Sequence, residues 1–194
     1  MTLEHRQKDA PVRAAESVSA DPAVDSDAFR ATLGCFATGV TIVTARGPDD
    51  RPVGLTVTSF NSVSLDPPLI LWSLKRASPN FAIFAEAKGF AVNILAADQT
   101  RLARRFATPL IDKFADLRCG RGAYDAPLLP GVAAQIECRS HMAYDGGDHV
   151  IFLGRVEHVR RWERPPLIFC SGSFMVAEPN PMEHWEEGPE GDED

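Results

Sequence analysis

The chain has 194 residues, 44% of them apolar and 24% charged, with 20 Lys and Arg against 27 Asp and Glu for a net charge of −7. These fractions lie near the globular average and exclude a coiled coil, a fibrous repeat and wholesale disorder. No apolar run approaches the roughly 18 residues of a membrane span, and Met1 to Ala20 lacks the apolar stretch of a secretion signal, so a soluble cytoplasmic protein with no membrane role is expected.

The charge is uneven. Residues 1–26 carry −2 and residues 183–194 carry −7, the latter without one Lys or Arg, whereas 27–182 carry +2. A near-neutral body makes no case for a nucleic-acid surface. Residues 1–25 are polar and aperiodic and read as a disordered arm, 179–194 read as an acidic tail, and 26–178 read as the folded domain. Cys35, Cys119, Cys138 and Cys170 form no C-x-x-C pair, which favours reduced thiols over a disulfide framework or a zinc site; no metal is expected.

In chain order, Ser26 caps a helix with Phe29, Leu33 and Phe36 at helical spacing. Val40 to Ala45 is a β-branched strand that ends in a hairpin loop over "RGPDDRP". The alternation of "VGLTVTSFNSVS" predicts one continuous strand, turned by Pro67-Pro68 into the apolar strand "LILWSL". Ser78-Pro79-Asn80 places a Ser cap before a Pro at the first helical position, predicting a helix that stops at Gly89. "FAVNIL" is a further strand, and Asp98 caps a second short helix through "TRLARRFA". Residues 107–131 read as a loop. Ala133–Tyr144 and His149–Trp162 are long strands about the turn Asp145–Asp148, which would set His149 opposite Tyr144. "PLIFCSGSF" is a last strand. Many strands, few helices and no βαβ alternation predict an antiparallel barrel rather than a doubly wound sheet.

Hydrolytic signatures are missing: the sequence has no G-x-S-x-G, H-E-x-x-H or P-loop. Gly54, Thr56, Thr58 and Ser59 would give one strand a flat surface of hydroxyl and amide donors, suited to a planar heteroaromatic ligand, although an ordinary half-buried strand has the same composition. Lys75 and Arg76 precede the helix start at Ser78, a combination that suits a phosphate, and Arg104 and Arg105 offer guanidinium groups nearby; solvated surface charge is the alternative.

The segments "FRATLGCFATGVTIVTA", "PVGLTVTSFNSVSLDPPLILWSL", "SPNF", "FAVNIL", "LARRFA", "DKF" and "GGDHVIFLGRVEHV" follow one another between Phe29 and Phe174. In that order they resemble the short-chain NAD(P)H:flavin oxidoreductases, the flavin reductase components of two-component flavin-dependent monooxygenases. The resemblance implies a mainly β protein, an antiparallel Greek-key split β-barrel with a few short peripheral helices, assembled as a homodimer with flavin near the interface. It implies hydride transfer from NADH, or NADPH in its place, to FMN or FAD, and supply of reduced flavin to a partner monooxygenase. The alternative is a split-barrel flavoprotein that retains its flavin for electron transfer. By position, Pro52, Val53, Gly54, Leu55, Thr56, Thr58 and Ser59 match the stretch lining the isoalloxazine. Ser73, Leu74, Lys75, Ser78, Pro79 and Asn80 match the ribityl and phosphate stretch, and Arg105 and Phe106 a further flavin contact. His149 matches the histidine beside the nicotinamide and is the catalytic candidate, while Phe169, Cys170, Ser171 and Gly172 match the pyridine-nucleotide side. Pro79 stands where some members of that family carry a donor side chain, and proline has no N–H to offer.

Overall fold

The computed structural model describes residues 24–109 and 112–178. The expected arm, apart from its last two residues, and the acidic tail lie outside the described residues.

β-branched and aromatic runs become strands, and every ladder is antiparallel. A seven-stranded sheet is built from β2 (Thr41–Arg46), β3 (Pro52–Val57), β4 (Asn61–Leu65), β5 (Pro68–Lys75), β6 (Gly89–Ile94), β9 (Ala134–Gly146) and β10 (His149–Arg161), in the order β3-β2-β6-β9-β10-β5-β4. A smaller sheet joins β1 (Thr38–Gly39) to the hairpin β11 (Leu167–Cys170) and β12 (Ser173–Val176), and a two-stranded piece pairs β7 (Gly120–Arg121) with β8 (Pro127–Leu128). Helices α1 (Ser26–Gly34), α2 (Phe81–Glu86) and α3 (Thr100–Ala107) are short. The expectation of a mainly β antiparallel protein with few helices therefore holds.

The two edges of the large sheet, β3 and β4, are consecutive in the chain, and only Thr58–Phe60 connect them. A flat sheet of seven strands would hold its edges about 29 Å apart, whereas four Cα steps reach at most about 14 Å. The sheet must curl until its edges face each other. No ladder joins β3 to β4 among the described residues; instead Ser59 Oγ accepts from the Ser73 N–H at 3.0 Å and lies 3.3 Å from the Ser73 carbonyl, tying the link to β5.

Inside the curl, Trp72 stacks on Phe152 (5.0 Å, 19°) and meets Phe84 and Phe90 edge-on, with Val43, Val57, Ile70 and Leu74 around them. β2 is buried on both faces because α3 and the chain after β8 cover its other side, where Ile42 packs with Ala103, Phe106 and Leu129. A buried amide knot holds that cover. Asn93 donates to the Ile42 carbonyl and to Thr44 Oγ1, and its Oδ1 accepts from the Leu129 N–H and from Gln135.

Several local expectations change. The run "VGLTVTSFNSVS" breaks at Thr58–Phe60, so Thr58 and Ser59 lie on the link rather than along one strand with Gly54 and Thr56. The α1 cap is Asp25, one residue before Ser26, and its carboxylate accepts from the Ala28 N–H at 2.8 Å. Asp98 does not cap α3; Gln99 occupies that position without a side-chain bond to the helix, its amide bonding the Ala96 N–H and the Pro130 carbonyl instead, and Asp98 pairs with Arg164. The expected loop at 107–131 contains β7, β8 and a 3₁₀ turn at Ala123–Asp125. Across the long hairpin, His149 is opposite Gly146, and Tyr144 is opposite Ile151, because the loop is only Gly147-Asp148. The last expected strand is a hairpin, turned at Ser171-Gly172 with both φ positive (47° and 77°).

Gly154 on β10 permits a close approach: a Cβ there would lie 2.5 Å from Phe90 Cζ and 2.8 Å from Cys138 Cβ. Gly154→Ala should lose about 1–3 kcal/mol of stability in urea unfolding, the cost of overpacking a core. Gly120→Ala, whose Cβ would meet its first neighbour at 3.4 Å, should change stability by no more than about 0.5 kcal/mol.

Candidate functional site

Where the sheet edges approach, the chain leaves a groove of about 680 Å³ lined by Leu55–Ser59, Ser73–Lys75, Ala77, Ser78, Gly146, His149 and Ile151. Small-molecule sites span about 300–1,000 Å³. Three segments far apart in sequence meet here: the end of β3 with the link, the end of β5 with the following turn, and the start of β10. Among the described residues β3 pairs only with β2, so the backbone groups facing away from β2 have no strand partner there.

Two hydroxyls expected as ligand donors are already committed. Thr56 Oγ1 donates to the Ala103 carbonyl at 2.6 Å, tying β3 to α3, and Ser59 Oγ is held by Ser73. Their contribution is a fixed wall. Lys75, exposed at the end of β5, is opposite His149 in the β5–β10 ladder, so ammonium and imidazole rise from neighbouring positions on one wall.

A latch extends that pairing past the end of the ladder. Arg76 forms an ion pair with Asp145 at 2.7 Å, donates through Nε to the Gly147 carbonyl and through its backbone N–H to the Asp148 carbonyl. Its charge therefore serves the hairpin turn rather than standing free beside Lys75. The Asp145 carboxyl is held below the usual carboxylate range, first by the Arg76 hydrogen bond and then by the Gly147 N–H. Beside it, His149 Nδ1 lies 2.7 Å from Asp148 Oδ1. The hydrogen bond from the imidazole is the main reason the Asp148 carboxyl is also lowered. With Nδ1–H donating to Asp148, the neutral ring presents Nε2 as an acceptor.

The expected helix start moves. α2 begins at Phe81 and has six residues; Ser78-Pro79-Asn80 is a turn in which Ser78 Oγ accepts from the Asn80 N–H at 3.3 Å. Ser78 lines the groove, but as part of a turn after β5.

Of the residues singled out in the sequence, Leu55, Thr56, Thr58, Ser59, Ser73, Leu74, Lys75, Ser78 and His149 share the groove. Pro52, Val53, Gly54, Pro79 and Asn80 line an adjoining cavity of about 630 Å³ with Arg51, Lys113 and Phe114. Phe106 is fully buried against Phe114 (ring centroids 5.1 Å apart), so its ring supports β3 from behind. Arg105 donates to the Asp112 and Ala115 carbonyls and secures the chain after α3. Phe169, Cys170, Ser171 and Gly172 line neither cavity. Among the described residues no cluster of three or more His, Cys, Asp or Glu could hold a metal.

Sequence reasoning missed Val57, Ala77, Gly146 and Ile151; Ile151 follows from two-residue alternation after His149. It also left Lys113 without a role. Lys113 Nζ donates to the Phe106 carbonyl at 2.7 Å and the Gly54 carbonyl at 3.3 Å, and burial pulls its pKa down. It clamps the edge strand to the end of α3. No local pattern marks it, because Gly54 is 59 residues away.

Residues 33–178 match the family described as "Flavin reductase like domain". The chain is 45% identical over 150 residues to the FMN reductase (NADH) SmoA of Agrobacterium fabrum, covering 77% of this chain and 85% of that protein. It is also 45% identical over 148 residues to the reductase component of the flavin-dependent trigonelline monooxygenase of Acinetobacter baylyi, covering 76% of this chain but 48% of that longer protein. Among solved structures, the NADH:FAD oxidoreductase SgcE6 of Streptomyces globisporus, in complex with NAD and FAD fragments, is similar with a TM-score of 0.76 and 39% identity, covering 81% of this chain and 95% of that one.

The Asp148–His149 contact has a titration signature. A carboxyl lowered by a partner returns toward its ordinary value, about 3.9 for Asp, when the partner is removed. In His149→Gln the Asp148 carboxyl midpoint, followed by carbon NMR, should move up, since glutamine cannot reproduce the ring geometry. In the unsubstituted protein, the stabilisation from this contact is present above the ordinary Asp value and is lost as pH falls through the lowered one. An unchanged Asp148 midpoint in the variant would show that the ring does not hold the carboxylate.

Proposed function

The chain belongs to the flavin reductase like family, and from that premise we propose that it is an NADH-dependent flavin reductase that passes reduced FMN or FAD to a partner monooxygenase. One observation carries this most directly: the groove gathers 55–59, 73–75, 77, 78 and His149 into a single trough of about 680 Å³ along the outer edge of β3. When nicotinamide and flavin are bound together, the chemistry they supply is hydride transfer from nicotinamide C4 to flavin N5.

The tasks left to the protein are positional and electrostatic. The flat wall of Leu55, Thr56 and the Thr58–Ser59 link would receive the isoalloxazine face, and the backbone N–H groups on the outer side of β3 would face the charge that grows on the ring. Lys75, with the turn at Ser78, is the candidate for the flavin phosphate. His149, held by Asp148, would pack on the nicotinamide or bond its carboxamide. It would not be the proton donor, since hydride transfer moves no proton. Pro52, Val53, Gly54, Pro79 and Asn80 would extend the site through the adjoining cavity. Phe169, Cys170, Ser171 and Gly172 would reach the pyridine nucleotide only with help from chain movement or a second copy.

The curled sheet with unjoined edges is what supports reading it as a split barrel. For a homodimer the support is exposed apolar surface: Phe29 is 54% exposed, Phe36 74% and Leu65 95%, and Met175 and Val176 are exposed as well. Burial of these side chains against a second copy would take them out of water. The free thiols of all four cysteines suit the reducing conditions of a cytoplasm.

NADH oxidation with added FMN or FAD tests the proposal, and two variants test the assignments. Lys75→Ala should weaken FMN and FAD by about 1–3 kcal/mol, the range for a charge-assisted hydrogen bond, while sparing riboflavin. An equal loss for riboflavin would take Lys75 off the phosphate. His149→Ala should lower kcat/KM for NADH about ten- to a hundredfold with flavin affinity nearly unchanged; the opposite pattern would put His149 on the wrong ligand.

A further inference from the structure

The end of α1 and the turn of the β11–β12 hairpin converge on one carbonyl. The Gly34 oxygen accepts from the Ser171 N–H at 2.7 Å, lies 3.5 Å from Ser171 Oγ and takes the Cys170 thiol at 3.7 Å. A Cβ on Gly34 would come within 3.8 Å of the Ser171 Cα, so the two backbones are in near contact. The residue that follows this carbonyl is Cys35, the cap of α1, which is exposed. Two thiols, 135 positions apart in the chain, are thereby brought to the same corner of the fold.

Standard bond lengths place the Cys35 Cα about 2.8 Å from the Gly34 oxygen, so the Cys170 sulfur lies within about 6.5 Å of that Cα. The path from the Cys170 Cα through the Ser171 nitrogen and the Gly34 oxygen bounds the Cα–Cα separation at about 8 Å, and the bends along it make the true distance shorter. Disulfides span about 4.4–6.8 Å between Cα atoms. The Cys35 thiol itself rests 3.6 Å from the Ala31 carbonyl, one turn back along α1, and rotation about χ1 releases it from that weak contact. Cys35 is also about 120° around the helix from the Phe29, Leu33 and Phe36 stripe, at 100° per residue. A second copy covering that stripe would leave the thiol free.

We propose that Cys35 and Cys170 are a redox-active pair that closes to an intramolecular disulfide under hydrogen peroxide. The Cys35 thiol gives up its proton and the thiolate attacks one peroxide oxygen; the O–O bond breaks, leaving a sulfenic acid and a hydroxide that takes up the released proton as the first water. The Cys170 thiol then attacks that sulfur, the S–S bond forms, and the sulfenic oxygen leaves as a second water with the thiol proton. Two sulfurs lose one electron each, and the peroxide takes both. The other thiols are poorly placed to compete. Cys138 is buried and pushed up to about 12 by burial, and Cys119 is half-buried and raised for the same reason. The bond would staple α1 to the β11–β12 turn. Its formation does not depend on the reductase proposal, although reduced flavin meeting dioxygen is one source of the oxidant.

The test is peptide mapping of the full-length protein under non-reducing conditions, before and after millimolar hydrogen peroxide. The expected result is a loss of about 2 Da, a cross-linked peptide pair containing Cys35 and Cys170, and full reversal by dithiothreitol. Cys35→Ser, a change at an exposed position, should abolish the pair, as should Cys170→Ser, while Cys119→Ser should retain it. Peroxide that only adds oxygen to the two thiols separately would overturn the proposal. So would a bond that appears only between two copies on a non-reducing gel, or a mass loss that survives Cys35→Ser.

Discussion

Three residues, Thr58 to Phe60, join the two edges of a seven-stranded sheet, and the groove follows from that constraint. Had the link been long, β3 and β4 would lie on opposite sides of the molecule with no surface between them. Because it is short, the sheet must curl, and the edges approach without pairing. The Ser59 clamp on Ser73 sets how far the curl goes on this side. What remains is a slot with β3 and its outward backbone groups on one wall and the end of β5 on the other.

Different forces hold different parts of that slot. The aromatic packing of Trp72, Phe84, Phe90 and Phe152 keeps the inner face of the sheet dry, and burial of such side chains contributes on the order of 2 kcal/mol or more each. The Arg76–Asp145 pair is exposed, where water screens the attraction, so it adds little net stability. Its effect is geometric: it fastens the β9–β10 turn to the end of β5, so that His149 stands beside Lys75. Lys113 fills the corresponding place at the other end of β3, where the Gly54 and Phe106 carbonyls share one ammonium. A group of polar contacts with little net stability thus determines which side chains meet in the groove.

Much of the fold was legible in the sequence, and the failures have physical causes. β2, β5 and β6 are short β-branched or apolar runs bounded by Gly and Pro, and the Gly147-Asp148 loop was flagged by its Gly-Gly-Asp composition. The break at Thr58–Phe60 was hidden because threonine and serine there continue the strand alternation, and only the curl of the sheet, a non-local property, requires the chain to leave the ladder. Ser78-Pro79-Asn80 satisfies a turn as readily as a helix start, so local chemistry could not place the first residue of α2. Ser171-Gly172 did carry a hairpin signal, which the apolar run before it obscured. Resemblance supplied the candidate residues, but not their grouping. Nine of them share one groove, five belong to the neighbouring cavity, and Phe169 to Gly172 sit on a separate hairpin.

The central claim is that flavin occupies the groove at the free edge of β3. Amide hydrogen exchange with and without saturating FMN tests it most directly, because exchange slows where a ligand covers or orders the backbone. Slowed exchange at residues 55–59 and 73–78 is the expected result, with the cavity around Gly47, Glu86 and Tyr124 on another part of the surface unchanged. Protection confined to that other cavity, with residues 55–59 exchanging as in the free protein, would contradict it.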